Sequence, residues 1–420
     1  MKKNITIVGG GITGCIVALI LKKNGHVVKI YEAKPKIGGI LNDYHDKDNL
    51  FFQGCQYLNL NNDWFDECYD YFKNDIDIFD HTYGSYVELN DKKFYSSNFA
   101  CPVFENINLD KLSKSSKIHF SNGSLSSRLN FYPTEISNFL LNLSKKNSIN
   151  PDEVASFNAI NLHFERITSL NQIDQIHNLK KSNVNSENLL AVQRKKIYKK
   201  PLLGALPKNG YDSFFAKLAH TLKQLGIEVN TNSPVNPIWN NNKLEIINKS
   251  KQKIQTDLVI WTGNPTYLIK SFSSKDLDSI KWKIYQVNYN LNNTIDDPKY
   301  FTVFSESTPI SKIYIYKIDG VSKISIEYYQ SNHSTGEIKQ KTLDILRNFK
   351  FNVSIDNQSY NKKVQTRYNI ISLNDKKIIE KFFFDTNNTN LVSSPWLQYG
   401  RDKKIGGILN HLKQKNLIKL

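Results

Sequence analysis

Asn4-Ile5-Thr6-Ile7-Val8-Gly9-Gly10-Gly11-Ile12-Thr13-Gly14-Cys15 is the stretch on which the fold turns. A short β-branched run is followed at once by glycines at 9, 11 and 14, spaced Gly-x-Gly-x-x-Gly. An apolar helical stretch then runs from Cys15 to Lys23 and stops near Asn24-Gly25. Val27-Val28-Lys29-Ile30-Tyr31 reads as a second strand, so the segment predicts one βαβ unit. Each glycine has its own task. Gly9 permits the tight turn, Gly11 lets the backbone approach a pyrophosphate, and Gly14 lets the helix pack closely on the sheet. The amides of Ile12, Thr13 and Gly14 then lie at a helix N-terminus, where free N–H groups and the helix dipole favour phosphate. Glu32, at the end of the second strand, is placed to accept a hydrogen bond from a ribose hydroxyl. The glycines alone are a weak signal. With a strand before them, a helix after them and the acid beyond, they predict a dinucleotide site on a Rossmann-like α/β fold.

Composition narrows the rest. The chain has 420 residues, 40% hydrophobic and 23% charged, which fits a globular protein. Its cysteines are Cys15, Cys55, Cys68 and Cys101, with no CxxC pair, so neither zinc ligation nor a disulfide framework is expected. No metal site is expected, and a reducing cytoplasm is the expected compartment. The net charge of +17 comes from lysines spread along the chain rather than gathered in a stripe, which argues against nucleic acid. It suits either a solvated surface or attraction to anions. Met1-Lys2-Lys3 before an apolar stretch looks like a secretory signal, but the glycines split that stretch into strand and helix. Nothing else approaches the ~20 apolar residues that span a bilayer.

Further along, Asp212 or Ser213 can cap a helix whose apolar face is Phe214, Phe215, Leu218, Leu222 and Leu225, ended by Gly226. Ile227-Glu228-Val229 and Asp257 to Trp261 are further buried strands. Residues 280 to 330 alternate apolar and polar and read as antiparallel sheet. A last helix is expected from about Gly407 to Lys415. The organisation expected is a discontinuous cofactor domain of residues 1–85, 204–265 and 386–420. A helical region (86–203) and an antiparallel-sheet region (266–385) would lie over it and hold the substrate.

Glu32-Ala33-Lys34-Pro35-Lys36-Ile37-Gly38-Gly39 resembles the acid, base and Gly-Gly that follow the second strand in FAD-dependent amine oxidases, phytoene desaturases, protoporphyrinogen oxidases and UDP-galactopyranose mutases. The resemblance implies FAD, with the Gly38-Gly39 backbone and Ile40 beside its flavin end. The late Gly400-Arg401 resembles the Gly-Arg that closes on the pyrophosphate in those families, where Arg401 would make a charge-assisted contact. Gly406, Gly407 and Ile408 would then start a helix under the flavin. Val235, Thr262 and Gly263 complete the implied cofactor contacts. NAD(P)H is an expected external reductant.

Within that group the chain is most similar to UDP-galactopyranose mutase. Leu206-Pro207-Lys208-Asn209-Gly210-Tyr211, Val259-Ile260-Trp261-Thr262-Gly263, Pro309-Ile310-Ser311-Lys312-Ile313 and Ile326-Glu327-Tyr328 follow one another in that family's order. The resemblance implies pyranose–furanose isomerisation of a nucleotide-linked sugar through reduced flavin, in surface-glycan biosynthesis. Cations would stabilise the leaving diphosphate. Arg194 and Lys312 are the candidates, with Tyr328 against the same diphosphate. Alternation along the strand gives Lys312 a second reading, as a solvent-facing charge. Two departures stand out: Gly54-Cys55-Gln56 replaces the family's Gly-Pro-His, and Gly406-Gly407-Ile408 replaces its tyrosine pair. The second reading is therefore an FAD-dependent oxidoreductase acting on an amine or carbon substrate. A homodimer is the expected assembly if the protein associates at all.

Overall fold

β1 (Asn4–Val8) is buried from Ile5 onward, because both faces of the sheet it centres are covered. In the computed structural model, which describes residues 2–46, 48–60, 63–113, 123–182, 184–192, 203–278, 280–329, 333–356, 358–398 and 400–419, β1 lies between β2 (Val27–Tyr31) and β4 (Leu258–Trp261). β3 (Glu228–Asn230) and β5 (Leu391–Ser393) flank these, giving a parallel sheet in the order β3-β2-β1-β4-β5. Ile7 pairs with Ile30 on one side and Ile260 on the other. The fold is thus the Rossmann-like α/β arrangement that the first residues predict.

Between β1 and β2 runs α1 (Ile12–Lys23), buried without a break from Gly14 to Leu21. A helix that is apolar all round must be covered on more than one side. Here the second cover is α3 (Arg401–Gln414), whose Ile405, Ile408, Leu409 and Leu412 join the same core cluster. This is why the stretch near the N-terminus resembles a secretory signal: it is a core helix. No helix among the described residues is long and apolar enough to cross a membrane.

α2 (Gly210–Gln224) buries Phe214, Phe215, Leu218 and Leu222, the face read from the sequence. Its cap differs from expectation. Neither Asp212 nor Ser213 caps it. The first-turn N–H groups of Tyr211 and Asp212 donate to the Asp43 carboxylate at 3.0 and 2.8 Å. Burial pushes that carboxyl up to about 6. Asp212 pairs with Lys36 at 2.5 Å instead. A cap delivered from a residue so distant in sequence leaves no local signature.

The second layer is a seven-stranded sheet, ordered 360–370, 280–290, 321–328, 310–318, 299–305, 82–89 and 92–96. The alternating segment 280 to 330 supplies its middle as antiparallel strands. Thr82–Leu89 joins it by pairing parallel with Lys299–Ser305. Helices Leu125–Leu129, Thr134–Lys146 and Ile173–Ser182 pack around one flank.

Buried polar bonds lock the loop after Phe52 to this sheet. The Gly54 N–H donates to Gln286 Oε1 at 2.7 Å, while Gln286 Nε2 donates to the Phe52 carbonyl at 2.9 Å. The Cys55 N–H donates to Glu327 Oε1 at 3.0 Å. These bonds join the two layers, and removing the amide would strand a buried N–H. Gln286→Leu is expected to lower stability by about 2–3 kcal/mol, measured by urea unfolding against the parent chain.

Candidate functional site

Gly9 takes φ +109, and its N–H donates to the Tyr31 carbonyl at 2.9 Å, so the turn leaves β1 still tied to β2. A Cβ on Gly14 would stand 2.1 Å from the Gly9 oxygen, so α1 can pass under the turn only with glycine there. Gly9 itself is closed off by Thr262, whose Oγ1 would lie 2.6 Å from an added Cβ. That hydroxyl is 3.0 Å from both the Val8 and Gly9 carbonyl oxygens and has one proton to share between them. Gly11 differs. The nearest atom to an added Cβ is the Gly39 Cα at 3.7 Å. Gly11 also caps α1 without any side-chain acceptor, and the first turn holds no acid. The first turn of α1 therefore offers N–H groups and positive dipole with no acidic side chain of its own.

Glu32 is buried, and both its carboxylate oxygens are engaged. Gly10 N–H donates to Oε2 at 2.7 Å and Lys34 N–H to Oε1 at 2.8 Å. A carboxylate oxygen carries more than one lone-pair site, so an incoming hydroxyl can still be accepted. Ala33 follows it in the loop, and the next glycines fold back onto the turn. Gly38 N–H donates to the Gly10 carbonyl at 2.8 Å, with φ +128 at Gly38 and +66 at Gly39. Lys34 Nζ reaches the Gly39 carbonyl at 3.3 Å. Gly263 lies against Gly9 on the far side. Val235 is half-buried against the cluster that contains Val8 and Trp261. The structure thus gathers Gly9, Gly11, Ile12, Thr13, Gly14, Glu32, Lys34, Gly38, Gly39, Thr262 and Gly263 at the carboxyl ends of the parallel strands.

From this turn a cavity of about 290 Å³ opens, with Ile12 and the exposed Ile40 at its near end. Gly400, Arg401 and Lys404 line it from α3, Tyr57 and Gln56 from the locked loop, Tyr300 and Lys312 from the second layer, and His163 from the turn after Ser156–Ala159. Arg401 Nη2 donates to Gln56 Oε1 at 3.0 Å, while its buried Nη1 has no hydrogen-bond partner among the described residues. Burial, together with the charge of Arg401, lowers the Lys404 ammonium. The cavity wall is therefore cationic, with Asp402 held by Asn59 at 2.7 Å as the acid among its lining residues.

Three expectations need correction. The last helix begins at Arg401, not near Gly407, because Gly400 at φ +95 forms its N-cap. Gly406, Gly407 and Ile408 therefore sit inside α3. Ile408 is fully buried in the core, and a Cβ on Gly407 would meet Pro395 at 2.6 Å. Tyr328 does not face the cavity. Neighbouring residues of a strand point to opposite faces, and Glu327 takes the face toward Cys55. Tyr328 stacks on Tyr285 at 5.5 Å on the other. Lys312 is not a solvent-facing charge: its side chain is 5% exposed and stands 3.8 Å from Glu327 Oε2. Arg194 lies outside the described residues. Sequence reasoning missed Lys404, Tyr57 and His163. Lys404 could have been found from its position one turn after Arg401; His163 carries no local signal.

A family model for the NAD(P)-binding Rossmann-like domain matches residues 7–72. No curated protein matches the chain in sequence. Among solved structures, reduced UDP-galactopyranose mutase superposes with a TM-score of 0.67 at 12% identity, covering 100% of this chain and 96% of that one. The whole chain shares that enzyme's fold. A protein of Exiguobacterium sp. 255-15, titled a protoporphyrinogen oxidase on provisional assignment, gives 0.61 at 12% identity over 99% of both chains. Putrescine oxidase bound to putrescine gives 0.60 at 12% identity, again over 99% of both.

The glycines separate into tight and roomy sites, which mutation can read. Gly14→Ala is expected to destabilise the protein by at least about 2 kcal/mol through overpacking. Gly406→Ala meets nothing within 4 Å and is expected to stabilise it by about 0.5–1 kcal/mol as a helix-interior replacement. Thermal melts of the two variants check both signs.

Proposed function

We propose that the protein is an FAD-dependent enzyme acting on a small anionic substrate, with a nucleotide-linked sugar as the substrate class. The observation that carries the reading is the cavity that starts at the phosphate-ready end of α1 and ends among Lys312, Arg401 and Lys404. The residues fit a dinucleotide: Gly11 leaves its backbone approachable, the first turn of α1 holds no acid, and the buried Nη1 of Arg401 has no partner among the described residues. Gly9, Gly11, Ile12, Thr13 and Gly14 would hold the pyrophosphate, with Glu32 on the ribose and Ala33 and Lys34 beside it. Gly38, Gly39, Ile40, Val235, Thr262, Gly263, Gly400 and Arg401 complete the cofactor set. When bound, the flavin supplies two-electron chemistry at the cavity. The proposed organisation is a discontinuous cofactor domain under a substrate layer.

The chain's own residues then bind and orient. Lys312 and Lys404 place positive charge where a phosphate would reside, and a cation close to a breaking bond stabilises the charge that develops there. Lysine supplies that charge without arginine's bidentate fork, so orientation falls to the surrounding walls. Those walls are aromatic: Tyr57, Tyr300 and Trp64 exclude water and offer flat faces to a base or sugar. Isomerisation of the sugar is the leading reaction. Oxidation of an amine or carbon substrate is the second reading, favoured by Tyr328 lying turned away onto Tyr285.

The test is direct. The purified protein is expected to carry or take up FAD, and Arg401→Ala to weaken that uptake roughly tenfold by loss of a charge-assisted contact, read by equilibrium titration of flavin fluorescence. Reduced protein incubated with UDP-, dTDP- and CMP-sugars should yield a ring-isomerised product. Anaerobic bleaching of the oxidised flavin by a candidate substrate, with no sugar product, would turn the assignment to the oxidoreductase. A colourless protein whose melting temperature ignores added FAD would end both.

A further inference from the structure

His163 ends the turn that follows the short helix Ser156–Ala159, and it does so with φ +59. Left-handed backbone is costly for a residue other than glycine, on the order of 1 kcal/mol or more. Glycine or asparagine would meet the backbone requirement at lower cost, so what the position gains from histidine is the imidazole. Its Nε2 is buried with no hydrogen-bond partner among the described residues. A buried polar atom left unpaired is itself unfavourable, so two local costs fall on one residue. The positive φ is shared with other non-glycine residues such as Ser148 and Lys251, so it is the orphaned Nε2 that points to a ligand.

Location identifies what that is. His163 lines the main cavity and also a chamber of about 20 Å³ behind it, and Lys312 lines both with it. Burial, reinforced by the Lys312 charge, pushes the imidazole down to about 3. A neutral imidazole offers one donor and one acceptor rather than a second positive charge. Next to the Lys312 ammonium, a donor from Nε2 and the cation suit a single negatively charged oxygen.

We propose that His163 Nε2 and the Lys312 ammonium together hold a phosphate oxygen of the substrate. His163 supplies direction to a charge that lysine alone leaves unoriented. The pair rests on the anionic-substrate reading above and adds to it a contact residue from the helical layer. His163 is not a general base here: the neighbouring ammonium opposes its protonation, so its part is to donate a hydrogen bond.

The experiment titrates the FAD-loaded protein with UDP, uridine and inorganic pyrophosphate by calorimetry, for the parent chain, His163→Asn and His163→Gln. Asparagine tolerates left-handed backbone and is too short to reach the Nε2 position; the glutamine amide reaches it. Loss of a hydrogen bond to a charged oxygen is expected to weaken UDP and pyrophosphate roughly tenfold in His163→Asn, with recovery to within about threefold in His163→Gln. Uridine binding should not move. UDP affinity unchanged in His163→Asn would overturn the pair while leaving the nucleotide reading intact. Equal loss for uridine and UDP would also overturn it, because the effect would then be one of shape. Pyrophosphate binding that depends on His163, without any binding of UDP, would support the pair and sink the nucleotide reading.

Discussion

The site depends on one close approach, that of α1 to the Gly9 carbonyl. A methyl group at Gly14 would fall 2.1 Å from that oxygen, so the helix axis, and with it the direction of its N–H groups, is fixed by an absent side chain. Thr262 holds the same oxygen from the β4 side. Once α1 is seated, α3 has a surface to cover, and the start of α3 is carried to the mouth of the cavity. The geometry at Arg401 thus follows from packing that begins at residue 9, although the two lie at opposite ends of the chain.

Charge is sorted as well as placed. The formal excess of +17 is distributed over the whole chain. At the cavity, however, Arg401, Lys404 and Lys312 converge while the acids nearby are occupied. Asp402 accepts from Asn59, and Glu327 accepts from the Cys55 N–H and faces Lys312. Burial first, and then the Arg401 charge, lowers the Lys404 ammonium, so the two cations stand close enough to oppose one another.

Much of this was legible because it is local. The Gly-x-Gly-x-x-Gly spacing, the strands around it, the apolar face of α2 and the alternation after residue 280 are all written in neighbouring residues. Features formed by distant parts of the chain were not. Asp43 caps a helix more than a hundred residues away. The left-handed Gly400 starts α3 a full turn and more before the glycine pair that seemed to announce it in the sequence. Strand alternation is legible, but its phase is not: only the bond from Cys55 to Glu327 settles that Tyr328 turns away. His163 owes its place to a turn between layers, which no spacing rule describes.

The pairing of Thr82–Leu89 with Lys299–Ser305, and of β4 with β5, has a consequence for synthesis. Both sheets need strands that leave the ribosome long after their partners. α1 must wait for Arg401–Gln414 before its second face is covered. Contacts of such sequence separation fold slowly and leave apolar surface open in the interval. The nascent chain should therefore present its most apolar helix to chaperones while the rest is still being made. A truncation that spares every glycine of the turn after β1 can still leave that helix without its shelter.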